Sequence, residues 1–146
     1  MILDREIDRA AVGPTWRRDS QVAKCVVNTL AQRASEPRHH YLRSYVVMPN
    51  HVHMLITPVV PIARLMAGIK GFSARHCDQI LGRIDKHFWQ PESYDHWVRN
   101  TQEYQRICRY IENNPVAAGL AVWAEDWRWS SANLEGEADV TPLPCG

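Results

Sequence analysis

The order of strand-like and helix-like segments predicts an α+β domain with an antiparallel sheet. Three observations carry that expectation. Tyr45–Ile56 reads Y-V-V-M-P-N-H-V-H-M-L-I, two apolar runs about a Pro-Asn turn, which is the pattern of a hairpin. Three other segments carry apolar residues at helical spacing. The chain has 146 residues, 45% hydrophobic and 23% charged, which suits one domain of ordinary globular composition.

The elements follow in order. Met1–Asp19 has little periodicity and breaks at Gly13-Pro14, so it reads as an irregular lead-in with Trp16 as an anchor. Asp19 or Ser20 is an N-cap candidate, and Val22, Ala23, Val26, Val27 and Leu30 predict a helix over residues 20–33. The hairpin strands are Tyr41–Met48 and His51–Thr57. Pro61 suits the first turn of a helix over 61–81, whose buried stripe is Ile62, Leu65, Met66, Ile69, Phe72 and Ile80, with Gly82 as its stop. His87–Gln90 is a short strand candidate, and Glu92–Arg99 beyond Pro91 reads as a loop. Asn100 to Glu103 has the form of a capping box. The helix it opens is expected to run to about Asn113, to end at Pro115, and to close at Gly119. Trp123, Trp127 and Trp129 are expected to pack on the outside, and residues 133–146 form a polar tail.

Composition narrows the function classes. No apolar run reaches 18 residues, which argues against a spanning helix, and the N-terminus lacks an apolar signal core, so the expected setting is cytoplasmic. Cys25, Cys77, Cys108 and Cys145 are scattered without a C-x-x-C pair, which predicts free thiols rather than a zinc site. A formal net charge of +1 is not that of a strongly basic nucleic-acid binder. Local basic patches remain, at Arg17-Arg18, at Arg38 to Arg43, and at Lys70, Arg75 and His76.

Two features carry chemistry. His51 and His53 are two residues apart on one strand, so both imidazoles project from the same face. Two parallel imidazoles make a half-site for a divalent metal, or a hydrogen-bonded pair with no metal. On the last helix, Tyr104, Ile107, Cys108 and Ile111 share one face, while Tyr110 falls beside it with Asn114 one turn on. A tyrosine at the flank presents its hydroxyl to a cleft, and an Asn carbonyl can bind a hard cation. The plainer alternative is a rim tyrosine with a C-capping asparagine, and Tyr94 competes for the same role. Arg64, Lys70 and Arg75 lie along the 61–81 helix as either a solvated face or phosphate contacts.

Three blocks then resemble a known family: V-V-M-P-N-H-V-H-M-L-I, F-W-Q-P with Y-D-H-W-V-R, and R-Y-I-E-N-N-P-V-A-A-G-L. In this order they resemble the IS200-like transposases, and more closely the REP-associated tyrosine transposases, from about Trp16 to about Ser131. The resemblance implies a ferredoxin-like domain with its helices on one face of the sheet. It implies His51 and His53 as metal ligands, Asn114 as the third ligand, and Tyr110 as the catalytic nucleophile. It implies Mg²⁺ or Mn²⁺ as cofactor. Given a DNA substrate, the basic residues Arg64, Lys70 and Arg75 could hold its backbone, an assignment from their position alone. The implied activity is cleavage and rejoining of single-stranded hairpin DNA through a 5′-phosphotyrosine. The implied partners are that DNA and a second copy in a homodimer, with no membrane.

One departure sets a further expectation. The family has a strand ahead of its Gly-Pro-x-Trp segment, and here only Met1–Val12 precedes Gly13. The first strand is therefore expected to be missing or poorly replaced by Ile2–Val12, leaving an exposed sheet edge and a loosened metal site. That expectation keeps open a second reading, a truncated or domesticated relative that binds DNA hairpins without cutting them.

Overall fold

The structure is a computed structural model that describes residues 1–9, 16–35, 38–82 and 88–133. Its elements are β1 (Leu3–Arg9), α1 (Trp16–Ala34), β2 (His40–Val47), β3 (His51–Pro58), α2 (Ile62–Leu81), β4 (Trp89–Trp97) and α3 (Thr101–Ala117), with a short 3-10 turn at Ala124–Asp126. The strands form one antiparallel sheet in the order β2-β3-β1-β4. This is the split βαβ arrangement of ferredoxin-like domains.

The first strand is present, which corrects the expectation of its loss. Leu3 through Asp8 pair with Ile56 through His51, and the other side of β1 pairs with β4. The segment is hard to read because only Leu3 and Ile7 of the strand enter the core beneath α1 and α2. Its remaining residues are charged: L-D-R-E-I-D-R. One of the pairs it makes across the sheet is Arg5 with Asp95, at 3.5 Å.

Both faces of the sheet are covered, so the expectation of helices on one face holds only for α1 and α2. Val52, Met54 and Ile56 of β3 pack with Val22, Val26 and Leu30 of α1 and Leu65, Met66 and Ile69 of α2. On the other face, Leu55 joins Val46, Met48 and α3 residues Ile107, Cys108 and Ile111. The physical reason is topological. Right-handed crossovers put α1 and α2 on the same side, whereas α3 follows the last strand and is free to cover the opposite one. Coverage on both sides also explains why β3 reads as a nearly continuous apolar run.

Three boundaries differ from expectation. Helix α1 begins at Trp16, so the N-cap candidates Asp19 and Ser20 lie inside its first turns. β4 extends through Trp97 where a loop was expected, because β4 is an edge strand and an edge tolerates Pro91. Helix α3 continues past Pro115 to Ala117. Proline in the last turn forfeits one backbone bond, and a C-terminal motif offsets the loss. Leu120 N–H donates to the Pro115 carbonyl at 2.8 Å and Gly119 N–H to Val116 at 3.0 Å, with Gly119 at φ 74°. The expected N-cap is in place, with the Asn100 side chain accepting from Glu103 N–H at 2.8 Å.

Past α3 the chain returns across the outer edge of β2. Val47 N–H donates to the Trp129 carbonyl and Ser131 N–H to the Tyr45 carbonyl, so that edge is protected. Cys25 and Cys77 carry reduced thiols, as expected, and Cys145 lies outside the described residues. The Gly13-Pro14 break, Pro37, His87 and the tail beyond Asn133 lie outside the described residues.

Candidate active site

The parity of β3 decides what faces α3. Leu55 packs against α3, so His53, two residues earlier, lies on that same face of the sheet. His53 is buried, at 4% exposure. Its ring meets the ring of Tyr110 edge to face, with centroids 5.7 Å apart. The hairpin histidine and the helix tyrosine, far apart in sequence, are thus in contact. Tyr110 is itself 61% exposed, so its phenol is open to a ligand while its ring rests on the imidazole.

His51 is half-buried at the start of β3, and its Nδ1 lies 2.8 Å from the Asn50 Oδ1. Asn114 is half-buried one turn beyond Tyr110. Tyr110 and Asn114 line one open cleft of about 810 Å³, together with Arg106, Arg109 and Asn113. The side chain of the competing Tyr94 lies outside the described residues, and Tyr104 packs against the apolar cluster under α3. Burial raises the Tyr104 phenol above its ordinary value.

Sequence reasoning missed one residue of the site. The Asp4 carboxylate contacts the His53 Nε2 from the neighbouring strand β1. Asp4 is itself buried, at 8% exposure, and Glu6 pairs directly with His53 in the β1–β3 register. The signal was the alternation Asp4, Glu6, Asp8 along the N-terminal segment, which places acids at every second position of a strand. It could not be used while that segment was read as irregular.

Arg64, Lys70 and Arg75 are not brought to this site. All three lie on α2, across the sheet from Tyr110. Lys70 leans onto β4 instead, donating to the Gln90 carbonyl at 3.2 Å, and burial together with nearby Arg5 holds its ammonium below the usual lysine value.

The donor set suits a divalent cation in kind. It offers two imidazoles and a side-chain amide, a mixture of nitrogen and hard oxygen donors that Mn²⁺ accepts readily, while the Asp4 carboxylate is engaged with His53 Nε2. The buried Nδ1 of His53 has no hydrogen-bond partner, an orphan expected of a ring built to serve something besides the fold. Among the described residues, no three His, Cys, Asp or Glu side chains form a ready-made cage, so a cation here would draw on the Asn114 amide or on its substrate as well.

Comparison with known proteins decides the family. The model of the IS200-like transposases matches residues 16–114, a span that includes both histidines, Tyr110 and Asn114. The chain belongs to the IS200-like transposase family. Within that family it is 28% identical over 115 residues to a REP-associated tyrosine transposase of Escherichia coli K12, covering 76% of this chain and 66% of that protein. An uncharacterised protein of Haemophilus influenzae is 25% identical over 104 residues, covering 56% of this chain and 55% of the relative. The chain therefore spans somewhat under two thirds of the length of these relatives. The fold is similar to that of a REP-associated tyrosine transposase solved with a REP hairpin, with a TM-score of 0.70 at 22% identity over 89% of this chain and 75% of the other. No described helix of this chain is long and apolar enough to cross a membrane.

Proposed function

We propose that this transposase cuts and rejoins single-stranded DNA at hairpin sequences, with Tyr110 as the nucleophile and the His51/His53 pair as the core of a divalent metal site. The observation that carries the reading is the contact between Tyr110 and His53, which sets an exposed phenol beside one of the two candidate imidazoles.

The chemistry follows from the residues. The Tyr110 oxygen attacks the scissile phosphorus, forming a phosphotyrosine ester as the bond to the 3′ oxygen breaks. The phenol proton leaves to solvent or a nearby base, and the departing 3′ oxygen is released as a hydroxyl after taking up a proton. One ester replaces another, so rejoining by attack of a 3′ hydroxyl needs no nucleotide cofactor. An ordinary tyrosine hydroxyl is a weak nucleophile at neutral pH. A Mg²⁺ or Mn²⁺ ion held by His51, His53 and Asn114 would stabilise charge on the phosphate oxygens. Asp4 fixes the His53 ring, a role outer carboxylates commonly fill for metal-bound imidazoles.

The test is a nicking assay on single-stranded hairpin oligonucleotides with Mn²⁺ supplied. Wild-type protein is expected to cut and to form a covalent adduct, and Tyr110→Phe to bind without doing either. An adduct that persists in Tyr110→Phe contradicts the assignment. Binding without any nicking by the wild type would instead favour the hairpin-binding relative that does not cut.

A further inference from the structure

We infer that single-stranded DNA is carried on the outward stripe of α3, with Arg106 and Arg109 holding backbone phosphates next to the one reached by Tyr110. This rests on the reading of Tyr110 as nucleophile and adds what steers the strand to it. Helix α3 buries Ile107, Cys108, Ile111 and Pro115. Arg106, Arg109, Tyr110, Asn113 and Ala117 then fall at the complementary helical spacing, and all five are exposed. They line the same cleft.

Glu112 also lines this cleft, but both acids nearest the stripe are engaged by other groups. The Glu103 carboxylate is taken up by the Arg99 N–H and by His96, both at 2.8 Å, and touches Arg106 only at 3.8 Å. Glu112 accepts from the Ser131 hydroxyl at 3.0 Å, which draws it toward the C-terminal strap. The Arg106 side chain remains 69% exposed. Along the axis Arg106 and Tyr110 are one turn apart, about 6 Å at the helical rise, comparable to the phosphate repeat of an extended strand. Guanidinium forks pair with phosphate oxygens in two-point geometry, which fixes position as well as charge. Ala117, Ala118 and Ala124 at the other end of the cleft present little bulk, so the strand can leave there.

The experiment measures binding of a fluorescein-labelled single-stranded hairpin oligonucleotide to Tyr110→Phe protein over a series of salt concentrations. Adding Arg106→Gln and Arg109→Gln together is expected to weaken binding at least about tenfold. The slope of log affinity against log salt should fall by about 1.4, roughly 0.7 for each phosphate that is no longer neutralised. Arg64→Gln with Arg75→Gln, on the far side of the sheet, should change neither quantity appreciably. Thermal melting checks that both pairs of variants fold. An unchanged salt slope in the α3 pair, or an equal weakening in the α2 pair, overturns the inference. Since the assay needs no cleavage, its outcome is separable from that of the nucleophile assignment, which fails only if wild-type protein forms no adduct at Tyr110.

Discussion

Asp4 and His53 show how little of a site has to be local in sequence. The two are 49 positions apart, yet the β1–β3 register brings the carboxylate onto the imidazole Nε2. If Asp4 orients a metal-binding ring, Asp4→Asn should weaken Mn²⁺ binding by roughly 10–100-fold. Isothermal titration measures that directly, and an unchanged affinity would reduce the pair to a structural hydrogen bond. His51, His53, Tyr110 and Asn114 stand out in the sequence through spacing and motif, because each is placed by its own strand or helix. Asp4 was invisible for the converse reason: its role depends on which strand lies beside β3, and that is a property of the sheet.

At the scale of the elements, α3 is the part on which the geometry turns. Its start is fixed by the Asn100 cap and by Glu103, whose carboxylate the Arg99 N–H and His96 hold below the usual carboxylate range. Asn100→Ala should cost about 1 kcal/mol, read as a fall in melting temperature of roughly 2–4 °C. No change would mean that packing alone sets the helix start. The apolar spacing of α1, α2 and α3 made all three legible within a few residues, since each buries one stripe against the sheet. β4 was not legible beyond Pro91, because its edge position, which makes a proline tolerable, cannot be seen without the strand order. β1 was obscured by its own composition. A central strand normally reads as apolar, but this one carries acids where it borders the candidate site.

Across the whole molecule, burial of polar groups sets how the fold responds to acid. His40, at the start of β2, is fully buried. That burial, with His39 and Arg38 nearby, lowers its pKa from 6.5 to about 4. The folded value lies below the unfolded one, so the unfolded chain takes up the proton first. The stability contributed by the neutral ring is present in full above about pH 6.5 and is lost as pH falls toward 4, a window worth up to about 3 kcal/mol. Urea unfolding at pH 7 and pH 4.5 should show that loss, and His40→Leu should lessen it. An equal loss in the variant would place the acid sensitivity in other groups.

The same whole-molecule view supports a division between the two faces of the sheet. One is closed by α1 and α2 into the main core. The other holds His53 beneath α3, beside the cleft that Tyr110 lines. The most direct test of this account is to incubate the protein with Mn²⁺ and single-stranded hairpin DNA, digest it, and identify the modified peptide by mass spectrometry. The account predicts a nucleotide joined through its 5′ phosphate to Tyr110, lost when His51 and His53 are replaced by alanine. A nucleotide on any other residue, or one formed equally well without the histidines, would contradict it.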